Sequence, residues 1–407
     1  DTPDTMSSPR SLYVREVARR QVLPLPLVLR KDGDPKAINF AHKGLGDDKI
    51  LAVLHVIDKL PAVAEINFCD NRLTDKALTI LTTKLEKLKM LTHLDLSYND
   101  IDDSAKDIME YLVSKKCTLE TLVMDGADVD DVECAHIAEA LKDNTSIKSL
   151  SLAHNKIGEM ELLNVVKPDL ITGGEGMGDM LMHNAVLTEL DLSWNSIRME
   201  SAETLAQAIA HNKTLVTLRL AHNTFGDLAA QNMGQALRTN KGLKTLDLSF
   251  NSLVPRSAAT LAYNLIYNKS LVQLILDGNK LGTVGAQAVV GAMQRSEGDD
   301  RHLYISFKNT ETKLVDKSVF DPAQPAGTWE LKLDEPYGRM VTEECMFLAN
   351  NRAGCRMSRL EYNGKNIPLE QKEEETKSSE TKLFSSVTFL RMSKDFVRAL
   401  LTDRNRA

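Results

Sequence analysis

The chain lacks the short motifs that announce chemistry. No glycine-rich loop is followed by Gly-Lys-Ser/Thr, no Gly-x-Ser-x-Gly elbow occurs, no HxxxH lies on a helix and no cysteines pair as CxxC. A nucleotide cradle needs a lysine beside its backbone amides, and a zinc site needs His or Cys ligands at fixed spacing. Gly173-Gly-Glu-Gly-Met-Gly is rich in glycine but has no such lysine and no preceding strand. Covalent chemistry, metal binding and cofactor binding are therefore not expected, and the chain is read as a non-enzyme.

Other absences bound the setting. The cysteines, Cys69, Cys117, Cys134, Cys345 and Cys355, are odd in number and form no capping cluster, which points to a reducing, cytoplasmic compartment. The polar start, Asp1 to Arg10, shows no signal peptide, although the numbering can begin inside a longer precursor. No apolar run approaches the ~18 residues of a membrane span, so no membrane insertion is expected. Fifty basic residues against 57 acidic ones give a net charge of −7, which offers no reason to expect nucleic acid as a partner. Hydrophobic residues make up 43%, enough for a folded chain.

What the chain does have is a repeat. The pattern L-x-x-L-x-L-x-x-N-x-L runs through Leu91, Leu94, Leu96, Asn99 and Ile101. Its second apolar position recurs as Ile38, Ile66, Leu94, Leu122, Leu150, Leu190, Leu218, Leu246, Leu274 and Leu303, at intervals of 28, 28, 28, 28, 40, 28, 28, 28 and 29. Each marker opens a short strand with alternate residues inward, as in Leu246 and Leu248. A helical pattern follows, such as Ile50, Val53, Leu54, Ile57, or Ala258, Leu261, Ala262, Leu265, or Ala286, Val289, Val290, Met293. A single unit cannot bury both apolar faces, whereas stacked units share one core. Each buried Leu or Ile contributes about 1.5–3 kcal/mol.

The column Asn71, Asn99, Asn155, Asn195, Asn223, Asn251, Asn279 is structural on this reading, its amides satisfying backbone groups where strands turn away. The column is broken at Lys43, Ala127 and Lys308, and Ala127 predicts a looser loop.

A 28-residue unit with a full helix resembles the ribonuclease-inhibitor type of leucine-rich repeat. That resemblance implies an α/β horseshoe solenoid with a concave parallel sheet and convex helices. Ten repeats fill 36–309. Residues 1–35 form an N-terminal capping segment, with an amphipathic helix over Ser11–Gln21. Residues 310–407 form a C-terminal α/β cap and tail, with strands at Gly327–Leu333, Arg359–Asn363 and Ser386–Leu390. Helices at Pro336–Asn350 and Ser393–Thr402 and a mobile charged linker over 370–382 complete it. The lead-in segment and the Gly-x-Trp-x-Leu-x-Leu-x-x-Pro-Tyr motif are similar to those of protist and ciliary repeat proteins.

One repeat carries 12 surplus residues. Leu162, Val165 and Val166 keep helical register, which places the surplus near Lys167–Asp179, either as a tolerated surface insertion or as a partner-contacting protrusion.

The residue four after each marker reads His42, Asp70, Tyr98, Gly126, His154, Trp194, His222, Phe250, Gly278, Phe307. These side chains ring the concave face, where they either pack on one another or supply binding hot spots. Beside them Asp95, Asp191, Arg219, Asp247 and Tyr304 face the concavity. Tyr98, Asp191, Trp194, Arg219, His222 and Phe250 are the candidate protein-binding residues.

The function expected from the fold and the missing chemistry is a protein-binding scaffold, its partners other proteins in a multi-subunit assembly. A cytoskeletal or ciliary assembly is the special case that the narrower resemblance implies. The alternative is regulation of a small GTPase, since Ran GTPase-activating proteins resemble this repeat type; no catalytic residue of that family maps onto this sequence.

Overall fold

A computed structural model describes residues 8–25, 35–101, 105–165, 171–296, 303–310, 328–332, 360–362, 365–367 and 386–390. Ten three-residue strands pair in chain order as one parallel sheet: β1 (Ala37–Asn39), β2 (Glu65–Asn67), β3 (His93–Asp95), β4 (Thr121–Val123), β5 (Ser149–Ser151), β6 (Glu189–Asp191), β7 (Thr217–Arg219), β8 (Thr245–Asp247), β9 (Gln273–Ile275) and β10 (Tyr304–Ser306). The crossovers carry helices: α2 (Gly46–Ile57), α3 (Asp75–Leu85), α4 (Ala105–Val113), α5 (Asp131–Lys142), α6 (Glu159–Leu162), α7 (Gly173–His183), α8 (Met199–His211), α9 (Gly226–Thr239), α10 (Pro255–Leu265) and α11 (Gly282–Ser296). The result is an α/β horseshoe solenoid.

The core lies between sheet and helices. The central residue of every strand is buried and its flanking residues are mostly half-buried or exposed, so one face of the sheet is packed and the other open. Helix residues at i, i+3, i+4, i+7, such as Ala202, Leu205, Ala206 and Ile209, are fully buried. Ahead of the sheet, α1 (Pro9–Arg20) inserts Tyr13 and Val17 into the same core. Val290, on the last repeat helix, departs from its expected place and is exposed.

Two asparagine columns tie neighbouring repeats together. Asn223 Nδ2 donates to the carbonyl oxygens of Leu192 at 2.9 Å and Leu220 at 3.1 Å, and its Oδ1 accepts from Ile197 N at 2.9 Å. The other members of this column repeat the scheme. Where Ala127 stands instead, Ile101 N donates to the Ala127 carbonyl, at 3.3 Å. A second column, Asn144, Asn184, Asn212, Asn240 and Asn268, does the same at the helix C-termini. Asn212 Nδ2 donates to Leu181 O at 2.7 Å while its Oδ1 accepts from Leu215 N at 2.8 Å.

Two expectations are corrected. The last marker is Ile305, not Leu303, because Ile305 pairs with Leu274. The final interval is therefore 31 residues. Thr310, rather than Lys308, takes the asparagine position and is buried.

The 12-residue surplus also begins earlier than Lys167–Asp179 and ends before α7. Leu162 and Val165 are exposed, not core, and Val166 lies outside the described residues. The repeat's packed helix is α7 itself, capped by Thr172, whose backbone N donates to Glu175 Oε2 at 2.9 Å. Extra residues sit ahead of it, in α6 and the chain that follows. Buried Asp131 holds the two ends of that excursion, accepting from Gly158 N and Met160 N at 2.9 Å and from Gly173 N at 2.7 Å.

The glycines of α7 are packing residues. A Cβ on Gly173 would sit 2.8 Å from Cys134 Cβ of α5, and one on Gly178 would sit 2.8 Å from Thr204 Cγ2 of α8. A Cβ on Gly174 would collide with Ser201 Cβ. At these positions the helix lies too close to its neighbours for a side chain.

Beyond the sheet, β11 (Thr328–Lys332) pairs antiparallel with β14 (Ser386–Leu390), and β12 (Leu360–Tyr362) with an unexpected partner, β13 (Lys365–Ile367). The expected helices at Pro336–Asn350 and Ser393–Thr402 and the linker 370–382 lie outside the described residues.

Asn223→Ala should lower stability by about 1–3 kcal/mol in urea unfolding, since it strands buried backbone groups in two repeats. Gly174→Ala should also destabilise, by about 1–3 kcal/mol, although alanine is the better helix former. An unchanged unfolding midpoint would show that α7 can slide past α8.

Candidate functional site: the open sheet face and its rim

Every repeat ends its strand with a left-handed residue. His42, Asp70, Tyr98, Gly126, His154, Trp194, His222, Phe250 and Gly278 have φ between 53° and 69°. For residues with a Cβ that region costs about 1–2 kcal/mol each. The turn is held because the backbone N of each donates across to the next repeat: Trp194 N to Ala221 O at 2.7 Å, His222 N to Ser249 O at 2.9 Å, Phe250 N to Asp277 O at 2.8 Å. The parallel ladder thus continues past the strands, and the side chains emerge in a row at strand pitch.

In that row the rings stack. Centroids of His154 and Trp194 are 5.1 Å apart, of Trp194 and His222 3.6 Å, and of His222 and Phe250 4.1 Å, with interplanar angles of 13°, 11° and 12°. Stacked pairs return about 0.5–1.5 kcal/mol each, which helps offset the backbone strain. Phe250 then covers Gly278, and Tyr98 covers Gly126, where a Cβ would stand 2.6 Å from the Tyr98 ring. Both glycines are needed twice over, for φ and for the ring above them. Phe307 is not part of the row; with the register corrected, Asn309 occupies that position at φ 55°.

Stacking does not bury the row. Tyr98, Trp194 and Phe250 stay 50%, 49% and 43% exposed, so ring edges form an apolar strip along the rim. Of the expected site residues, Trp194, His222 and Phe250 come together, with His154 as an added member. Tyr98 is set apart over Gly126.

On the strands, Asp191 of β6 and Arg219 of β7 are in register, and their charged groups approach to 4.0 Å. Asp247 follows on β8. Each aspartate is half committed to its own turn. Asp191 Oδ1 accepts from Ser193 N at 2.9 Å, and Asp247 Oδ1 from Ser249 N at 2.9 Å and Ser249 Oγ at 2.7 Å.

Two further carboxylates were not expected from the sequence pattern. Asp125 and Asp277 start turns three residues after their markers, and bond to Ser151 Oγ at 2.5 Å and Ser306 Oγ at 2.6 Å respectively. Burial raises the Asp125 carboxyl pKa, opposed by its bonds to Ser151 and Ala153 and reinforced by the charges of Asp191 and Asp95. Among the described residues, no cluster of His, Cys, Asp and Glu could hold a metal ion, and no helix is long and apolar enough to cross a membrane.

An open parallel sheet of identical short strands, alternating with helices and closed by asparagine columns, defines a repeat solenoid with an uncovered sheet face. A family pattern described as Leucine Rich repeat matches residues 87–105, 143–159, 183–206, 211–234 and 267–290. This chain is a leucine-rich-repeat protein. No curated protein matches it. Among solved structures, Leiomodin-1 Actin-Binding Site 2 is similar at 20% identity, covering 36% of this chain and 77% of that one, with a TM-score of 0.29.

His222, lodged between Trp194 and Phe250, has its pKa lowered by burial; Asp247 pulls it up and His154 pushes it further down. With the folded value below the unfolded one, the stability it supports is present above the unfolded pKa and lost as pH falls through the folded pKa. Histidine NMR titration should place His222 below the ordinary ~6.5 of imidazole. His222→Phe should reduce the loss of thermal stability on acidification from pH 7.5 to pH 5. An unperturbed titration, or an unaltered acid-side loss in the variant, would contradict this.

Proposed function

We propose that the chain is a non-catalytic protein-binding scaffold whose docking surface is the concave sheet face and its rim, centred on Tyr98, Asp191, Trp194, Arg219, His222 and Phe250. The observation that carries the reading is the exposed ring row beside a charged strand surface. A stacked β-scaffold holds these side chains in place, so little entropy is lost when a partner binds. Aromatic edges offer apolar area with few rotors, and the neighbouring charges discriminate partners. The ribonuclease-inhibitor type of repeat is consistent with the 28-residue register and full helices. A cytoplasmic multi-subunit assembly, cytoskeletal or ciliary, is the setting that the resemblance suggests; regulation of a small GTPase draws on no residue of this surface.

The test is affinity purification with crosslinking, followed by titration of the recovered partner. Trp194→Ala and Phe250→Ala should each weaken the complex by about 1–2 kcal/mol. Thermal unfolding measured alongside separates lost binding from lost stacking. If both variants remain folded and bind normally, while removal of residues 159–171 abolishes binding, the excursion ahead of α7 is the contact site and this reading fails.

A further inference from the structure

The open face carries two strips of different chemistry, and together they describe what fits. One strip is the row of ring edges from His154 to Phe250. The ring faces are occupied by their neighbours in the stack. A cation is attracted to an aromatic face rather than an edge, so this strip suits aliphatic side chains.

The other strip is acidic. In the two outward columns that follow the markers across β2–β9, Asp95, Asp125, Asp191, Asp247 and Asp277 face a single cation, Arg219. Asp191 and Asp247 flank Arg219 in register, and its guanidinium approaches Asp191 to 4.0 Å. Among the described residues no hydrogen bond or ion pair reaches Asp247 Oδ2, while its Oδ1 is held by Ser249. Asp95, Asp191 and Asp247 are pointed by their own turns, whereas Asp125 and Asp277 accept from the next repeat.

Spacing adds a third constraint. Neighbouring strands lie about 4.8 Å apart, and one α-helical turn rises about 5.4 Å. A helix laid along the solenoid therefore presents about one side chain per strand.

We propose that the sheet face receives a basic amphipathic helix of a partner protein, with its cationic stripe on the carboxylates and its aliphatic stripe along the ring edges. This rests on the docking reading given above. Arginine or lysine two turns apart on that helix meets Asp191 and Asp247, two strands apart, while leucine-type residues on the adjoining stripe cover Trp194 and Phe250.

The test uses the full chain and two synthetic probes: an 18-residue amidated helical peptide with arginine on one stripe and leucine on the next, and the same peptide with glutamate for every arginine. Anisotropy titration should show saturable binding of the arginine peptide alone, weakened by added salt. Asp191→Asn combined with Asp247→Asn keeps an Oδ1 acceptor for Ser193 and Ser249, so the fold and Tm should hold while affinity drops at least tenfold. Phe250→Ala should weaken the same peptide several-fold. The proposal is overturned if the glutamate peptide binds as well, or if the folded double variant binds undiminished. It is also overturned if the chain instead self-associates through this face, with the double variant monomeric. Failure of the arginine peptide to bind, with Trp194→Ala still losing the crosslinked partner, sinks the basic helix and leaves the docking face standing. Retention of that partner by folded rim variants sinks both.

Discussion

Everything in this solenoid depends on satisfying the backbone where each three-residue strand turns away from the sheet. Strands so short expose polar groups at both ends, and burying them unpaired would cost about 1–3 kcal/mol apiece. The asparagine side chains meet that demand with acceptor and donor at once, reaching back into their own turn and across to the preceding repeat. Because the reach across spans one repeat, the columns enforce register. A shift in one unit would unpair two.

The rim follows from the same constraint. Turning the chain sharply before the asparagine requires a left-handed residue, and the cross-repeat amide bond holds it there. Once Cβ atoms are aligned at strand pitch, flat side chains stack naturally. The ring row is thus in part a consequence of turn geometry, and its stacking is structural. About half of each large ring nonetheless remains in solvent, so stacking leaves these side chains free for the binding role proposed for them.

Most of this architecture was legible because the repeat period is a long-range signal. Nine of the ten markers, the strand residues, the asparagine column and most of the helix faces follow from spacing alone. The failures are local and share one cause. Leu303 mimics a marker, but the sheet register selects Ile305. Leu162, Val165 and Val166 satisfy helical periodicity, while the core is filled by Met177, Met180 and Leu181 of a glycine-laden helix. The glycines of Gly173–Gly178 fell inside the stretch read as an insertion, yet they belong to a helix packed closely between α5 and α8. The second asparagine column recurs at the markers' own intervals of 40, 28, 28 and 28 and went unread, although the same period displays it; what spacing could not give is that its amides reach carbonyls of the preceding repeat.

The charge of the open face shows how the same turn chemistry can acquire a second use. Aspartate suits the residue after the marker because one oxygen can accept from an amide two positions on, as in Asp191 and Asp247. Serine or asparagine could serve that turn without charge, and Asn67 does, accepting from Cys69 N at 3.0 Å. Turn geometry therefore explains an acceptor at these positions but not an anion. Asp125, three residues after its marker, is a separate and sharper case, since burial and two nearby carboxylates disfavour its ionised form against the bonds from Ser151 and Ala153. Accumulating like charges on an uncovered sheet works against folding, and binding a cationic surface relieves that repulsion. The acidic strip is in that respect matched to the cationic partner proposed for it.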